Sequence, residues 1–200
     1  MLQTKIISED EEKSYQDHLN EAQIAFSRKD FEAAIEHYQK GISLYLASPT
    51  IDKKTFIPFY AALQQNLGVA FYETKKYKEA EKAFSKAIQF EPQNAVHYFN
   101  VGNLFFSKDQ YENAIFLYTK AITLKPDFFE AHSNLGGIYL IQNDLKNAKK
   151  YFTQALKINP QDRYALEGMQ YIMRDERQLK HFKAKVNAER RHQFLYSLAA

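Results

Sequence analysis

Residues 77–94 read YKEAEKAFSKAIQFEPQN, an amphipathic stretch that stops at a proline. Ala80, Ala83, Phe84, Ala87 and Ile88 recur at i, i+3, i+4, i+7 and i+8, which places them on one face of a helix with a 3.6-residue period. Thirty-four residues later the chain reads YENAIFLYTKAITLKPDF, and thirty-four later again LKNAKKYFTQALKINPQD. The register holds at every marker: Gly68, Gly102 and Gly136, Ala80, Ala114 and Ala148, and Pro92, Pro126 and Pro160 each stand 34 apart. A second helical face precedes each stretch, with Leu67, Ala70 and Phe71 in the first copy. Each copy is therefore expected to be a helical hairpin.

The punctuation supports hairpins. Turns are expected at Lys75-Lys76, Lys108-Asp109 and Asn143-Asp144. The prolines end the second helices, because the residue before a proline is pushed out of the α region. The marker glycines fall inside helices, where glycine costs about 1 kcal/mol relative to alanine, so they need a packing reason. Close approach supplies it: a bare glycine faces Ala80, Ala114 or Ala148 twelve residues on, and Phe84, Tyr118 and Phe152 fill the space beside them.

This pattern resembles the tetratricopeptide repeat, a 34-residue helix pair with Leu-Gly near the first helix centre and then aromatic, Ala, aromatic, Ala and Pro at set offsets. Leu67-Gly68, Phe71, Ala80, Phe84, Ala87 and Pro92 carry the resemblance, as do Gly102, Phe105, Ala114, Tyr118, Ala121 and Pro126, and Leu135-Gly136, Tyr139, Ala148, Phe152, Ala155 and Pro160. The family's early tryptophan is replaced by Gln64, Tyr98 and His132. The resemblance implies an all-α fold, a right-handed superhelix or solenoid of antiparallel helix pairs.

A degenerate unit stands upstream, with Ala34, Tyr38 and Gly41 at second-helix offsets and Ala22 at the glycine position. Ala34 and Ala80 are 46 apart, twelve more than the period, and the excess lies in ASPTIDKKTFIP, residues 47–58. That segment is read as a longer loop plus an extended helix start, with Thr55 as N-cap and Pro58 in the first turn. The expected organisation is a solenoid over 1–173, with repeats at about 15–46, 61–94, 95–128 and 129–162, a capping helix from 163, and a basic helical extension over 174–200. An atypical end is what a stack of repeats requires, since each leaves an apolar face for its neighbour.

Composition narrows the function. At 200 residues with 45% hydrophobic content, the chain has material for a sizeable core. It has no cysteine, which removes disulfides and thiolate chemistry and suits a reducing, cytoplasmic location. The N-terminal twenty residues carry no signal-peptide pattern, and no run approaches the about 20 apolar residues of a membrane span. Between Arg174 and Arg191 lie seven bases and three acids, against 20 bases and 21 acids elsewhere. The body is neutral and the tail basic.

No phosphate-binding loop, nucleophile elbow or zinc-protease signature occurs, so no catalytic residue, metal ligand or cofactor is expected and the chain is read as a non-enzyme. The six histidines, His18, His37, His97, His132, His181 and His192, are scattered and read as helix-surface residues, although His97 and His132 sit early in consecutive repeats. The acidic SEDEE at 8–12 reads as a helix start.

Two residues before each marker position stands an asparagine: Asn20, Asn66, Asn100 and Asn134. In the family this position points into the concave surface, and the column resembles the asparagine ladder in the repeats of protein O-GlcNAc transferases. Such amides donate to and accept from the backbone of an extended peptide. A second reading has them bond neighbouring helices and tie repeat to repeat. Around them the inner-face candidates include Gln16, Gln23, Gln65, Val96, Asn103, Glu130 and Ser133, none of them basic. The Lys/Arg clamp that co-chaperones of this family use for acidic C-termini is therefore absent, and a neutral or apolar ligand is expected along Phe26, Tyr72, Phe99, Phe106 and Leu140. The expected function is a protein-interaction scaffold or adaptor. The alternative is a regulatory or accessory subunit whose active site lies in its partner.

In the tail, Ile172, Leu179 and Val186 recur at seven with Phe182 between them, and Phe194, Leu195, Tyr196 and Leu198 follow Arg191. Three readings stand: packing on the solenoid, docking of a partner or a second copy to make a homodimer, and a basic anchor for acidic lipid or nucleic acid. Four net charges without an aromatic platform are a weak nucleic-acid signal.

Overall fold

The stretches that carry the 3.6-residue pattern are helices, and they follow one another in pairs. The structure, a computed structural model, describes residues 9–47 and 53–174, so the readings of the tail beyond Arg174 lie outside the described residues. Among these, nine helices and no strand occur: α1 (Glu9–Ser27), α2 (Phe31–Ala47), α3 (Lys53–Glu73), α4 (Tyr77–Phe90), α5 (Ala95–Ser107), α6 (Tyr111–Leu124), α7 (Phe129–Ile141), α8 (Leu145–Ile158) and α9 (Arg163–Ile172). They fall into two compact units, residues 1–93 and 94–200. In the first, α1 pairs with α2, α3 with α4, and α2 packs on α3. In the second, α5 pairs with α6 and α7 with α8, while α6 packs on α7 and α9 packs on both α7 and α8. The all-α class and the helix-pair construction are those expected.

Each pair is closed by the same backbone device. Lys29, Lys75, Asp109 and Asn143 take φ of 62°, 61°, 56° and 62°, the left-handed conformation, one residue into each turn. This residue lets the next N–H reach back into the first helix, as Lys76 N donates to Phe71 O (2.8 Å) and Asp144 N to Tyr139 O (2.8 Å). These bonds satisfy carbonyls that a helix end leaves orphaned. The second helices stop as the prolines require. Glu91, Lys125 and Asn159, each before a proline, leave the helical region with φ/ψ of −129°/72°, −136°/90° and −127°/95°. α8 is also capped at its start: the Asp144 carboxylate accepts from Asn147 N (3.0 Å) and Asn147 Nδ2 (2.6 Å), and these bonds hold its pKa below the usual range.

The twelve extra residues of the first pair go largely into helix. α3 has 21 residues where α5 and α7 have 13, and α2 has 17 where α4, α6 and α8 have 14. Because α3 begins at Lys53, Thr55 stands inside its first turn rather than at the cap, and Pro58 lies in the second turn. The SEDEE segment likewise starts α1 at Glu9.

The core of each of the last three pairs is an aromatic ring set on a glycine. A methyl group at Gly68, Gly102 or Gly136 would lie 2.6 Å from a ring carbon of Phe84, Tyr118 or Phe152. All three rings and Ala80, Ala114 and Ala148 are fully buried. Burying each ring stabilises the fold by about 1.5–3 kcal/mol, which outweighs the about 1 kcal/mol helix cost of the glycine beneath it. The glycine recurs because the ring, rather than the partner backbone alone, occupies the place of its side chain.

Candidate functional site

The ladder asparagines lie on the first helices of the pairs, and within each unit Asn66 and Asn134 meet the pair before them. In the second unit, Tyr118 of α6 donates its hydroxyl to Asn103 Oδ1 of α5 (2.7 Å). Asn134 of α7 then donates Nδ2 to Asn103 Oδ1 (2.9 Å) and to the Tyr118 hydroxyl (3.2 Å). In the first unit, Tyr38 of α2 donates to Gln23 Oε1 of α1 (3.2 Å) and is hydrogen-bonded to Asn66 of α3. Burial raises the Tyr38 pKa to about 12 against the opposing pull of that asparagine, so the hydroxyl keeps its proton throughout the neutral range. The spacing repeats: the amide lies 15 residues before each tyrosine, and the asparagine 16 after Tyr118 or 28 after Tyr38, the twelve-residue excess included.

Asn66, Asn103 and Asn134 are half-buried, and Asn20, with no helix pair before it among the described residues, is exposed. Asn100 is 1% exposed, and neither its Oδ1 nor its Nδ2 has a partner among the described residues.

The expected apolar stripe divides. Phe26 and Tyr72 are half-buried, with Phe26 edge-on to Phe31 at 5.4 Å and Tyr72 beside Tyr77 at 5.8 Å. Phe99, Phe106 and Leu140 are buried, which differs from the open apolar surface expected of them. Phe99 lies against Tyr118 (5.6 Å) and Phe128 (4.8 Å), and Phe106 against Tyr111 (5.7 Å), so these rings are engaged in packing α5 to α6 and to the chain before α7. The inner positions of a first helix are core wherever a neighbouring pair covers them.

The histidines are not all surface residues either. His97 and His132 are buried, with His132 Nε2 3.0 Å from Pro126 O. A different pair meets: His18 Nδ1 of α1 lies 3.1 Å from His37 Nδ1 of α2, and Glu21 Oε2 lies 3.1 Å from His37 Nδ1 and 3.7 Å from His18 Nδ1. This is the set of metal-capable side chains that converges among the described residues, where the sequence had shown only scattered histidines. The sequence carries half of the signal, His18 and Glu21 at i, i+3 on one helix face; His37, nineteen residues from His18, joins through helix packing.

Two acids, buried Asp162 before α9 and half-buried Glu130 of α7, influence each other electrostatically. Burial raises the pKa of Asp162, against hydrogen bonds from the backbone of Ala165 and Tyr164. It also raises that of Glu130, with the Asp162 charge adding to the shift. Asp162 Oδ1 caps α9 by accepting from Tyr164 N (3.1 Å).

Comparison with known families agrees with the geometry. The family described as tetratricopeptide repeat matches residues 61–94 and 129–162, and in a second form 18–47; the family described as TPR repeat matches 102–142. Together the matches cover more than half of the chain, which belongs to the tetratricopeptide repeat family. No curated protein sequence matches it. Among solved structures the chain is similar to MamA, at 17% identity over 94% of each chain with a TM-score of 0.65. It is similar to a tetratricopeptide repeat protein from Parabacteroides merdae, at 20% identity over 94% of this chain and 67% of that one with a TM-score of 0.67. It is also similar to the first TPR of Spaghetti (RPAP3) bound to the HSP90 peptide SRMEEVD, at 22% identity over 58% of this chain and 92% of that one with a TM-score of 0.55. At these identities the likeness is one of fold. Among the described residues no helix is long and apolar enough to cross a membrane.

Proposed function

We propose that this chain is a non-catalytic protein-interaction scaffold that holds a neutral or apolar peptide segment of a partner against the first helices of its pairs. The observation that carries the reading is that each unit sets half-buried amides on those helices, Asn66 in the first and Asn103 and Asn134 in the second, with Asn20 exposed and no lysine or arginine at the neighbouring inner positions. Hydrogen bonds to Tyr38 and Tyr118 fix the rotamers of these amides, so little side-chain entropy is lost when a peptide backbone takes their remaining edges. Phe26 and Tyr72, half-buried on α1 and α3, are the apolar contacts of this reading, with Phe99, Phe106 and Leu140 supporting from the core. The first TPR of Spaghetti (RPAP3) holds an acidic HSP90 peptide; here the missing bases favour a ligand without a required acidic terminus. Residues 1–173 act as the binding module in this reading, the extension is a separate basic arm, and the absence of cysteine supports a cytoplasmic location.

Selection of peptides from a random display library on the full chain tests this. The expected result is a shared motif without a terminal acid, whose binding is weakened by Asn20→Ala with Asn66→Ala and by Tyr72→Ala while helical content is kept. Selection of peptides ending in consecutive acids would refute the neutral ligand. Capture of a single catalytic protein, without any peptide motif, would favour the accessory-subunit alternative.

A further inference from the structure

The first helix pair holds a feature that the peptide-binding reading does not use. His18 and Glu21 occupy one face of α1, and His37 reaches them from α2, so two imidazole nitrogens and a carboxylate oxygen form a small triangle with sides of 3.1, 3.1 and 3.7 Å. Gly41, one turn beyond His37, brings α2 close enough for a methyl group there to lie 3.6 Å from His18 Cβ.

We propose that His18, Glu21 and His37 form a binding site for a divalent transition-metal ion of the zinc type, which pins α1 to α2. The geometry argues for it. A tetrahedral ion with bonds of about 2.0–2.1 Å holds its ligand atoms about 3.3–3.4 Å apart, and the mean side of this triangle matches that edge. The donor chemistry argues for the same class. Imidazole nitrogen selects zinc and its neighbours in the first transition row, whereas calcium and magnesium require shells made of oxygen. Hydrogen bonds alone serve the cluster less well. Each neutral imidazole has one N–H, so when His37 Nδ1 donates to Glu21 the lone pair of His18 Nδ1 has at most a share of that same proton. A cation satisfies all three donor atoms at once. Exposure leaves room for a fourth ligand: the side chains of His18 and His37 are 15% and 28% accessible, and that of Glu21 is 56% accessible. Water or a partner carboxylate completes the tetrahedron on the Glu21 side.

Calorimetric titration of zinc chloride into the chelator-treated full chain is the test, with magnesium chloride as the control. One equivalent of zinc is expected to bind with saturation and to raise Tm by several degrees, since an ion bound only by the folded state stabilises it by mass action; magnesium should do neither. Cobalt(II) in place of zinc should develop the visible absorption of a tetrahedral ion. Glu21→Gln, at an exposed position, is expected to stay folded by circular dichroism and to lose affinity by at least about 10-fold, as even the loss of an outer-shell partner costs about 10–100-fold. His18→Gln with His37→Gln should abolish binding, and His181→Gln with His192→Gln should leave it unchanged. The proposal is overturned by no saturable binding at submillimolar zinc, which would leave a hydrogen-bonded triad only. Binding that survives the His18/His37 substitutions or disappears with the His181/His192 pair would also overturn it.

Discussion

The pair α5/α6 and the pair α7/α8 have the same helix lengths, 13 and 14 residues, and the same contact of an aromatic ring on a glycine, yet each is joined to the next helix by different means. In α5/α6 the ring is Tyr118, and its hydroxyl makes polar bonds with Asn103 and Asn134. In α7/α8 it is Phe152, and the residue sixteen further on is Gly168 of α9. A methyl group at Gly168 would collide with Phe152 Cε2 and Cζ, while Gly136 receives the opposite edge of the ring. One register position thus accepts either an amide that reaches a hydroxyl or a glycine that admits a bare ring. The first unit repeats the polar solution at Tyr38 with Gln23 and Asn66. A repeat family can therefore keep its packing distances while exchanging directional bonds for steric nesting.

The severest break in this comparison is Phe152→Ala, which removes a fully buried ring gripped by two glycines that cannot collapse inward. Chemical denaturation should report a loss of about 3–5 kcal/mol. A loss under 1 kcal/mol would mean that α9 is not held by the ring.

Gly168→Ala tests the steric half directly. Since Gly136 blocks retreat of the ring, a single added methyl is expected to cost about 1–3 kcal/mol, measured by the same denaturation. A neutral result would show the nesting to be loose.

The polar half is tested by Tyr118→Phe and Asn134→Ala, singly and together. Each single change should cost about 1 kcal/mol, the net worth of a hydrogen bond, and the pair should cost less than the sum because the two side chains share a bond. Strict additivity would dissolve the network.

Asp162 and Glu130 of the second unit sharpen the contrast electrostatically. Burial raises the pKa of Asp162 and Glu130, so the folded state holds their protons more tightly than the unfolded chain does. Their contribution to stability is full below the unfolded carboxylate range, near pH 4, and is lost as pH rises through the folded values. Asp162→Asn keeps the cap, since asparagine ranks with aspartate at that position, and removes one charge. Its stability relative to the parent should therefore be greatest near neutrality and shrink on acidification, as read by melts at a series of pH values. A difference that is constant with pH would remove Asp162 from this role.

The smallest expected effect compares turns. Lys75 and Asn143 have nearly the same left-handed φ, 61° and 62°, but asparagine tolerates that conformation and lysine does not. Lys75→Gly should stabilise by about 1 kcal/mol or less, and Asn143→Gly by less still. The opposite ranking in melting temperature would contradict the strain assigned to Lys75.

The helix pairs were legible in the sequence because their causes are local. Ala80, Phe84 and Ala87 share a face by helix geometry alone, Pro92, Pro126 and Pro160 exclude the α region just before themselves, and the glycine register announces a large partner at close quarters. The ladder asparagines were legible as a column, and the reading that ties repeat to repeat accounts for the Asn66 and Asn134 bonds seen here. Their hydroxyl partners were not legible, since Tyr118 reads equally well as another core aromatic. The burial of Phe99, Phe106 and Leu140 was missed for a related reason: helix periodicity does not say which inner positions of α5 and α7 a neighbouring helix covers.

The amino-acid sequence by itself determined the period, the ends of the second helices at their prolines, the turns and the family, all of which follow from interactions within 34 residues. Only the tertiary structure decided which polar side chains meet: Asn134 with Tyr118 and Asn103, Tyr38 with Gln23 and Asn66, and His18 with His37 and Glu21. Helix periodicity fixes the face on which a side chain lies. Hydrogen bonds and metal ligation depend on separations of a few tenths of an ångström, and those are set by how one helix seats on the next.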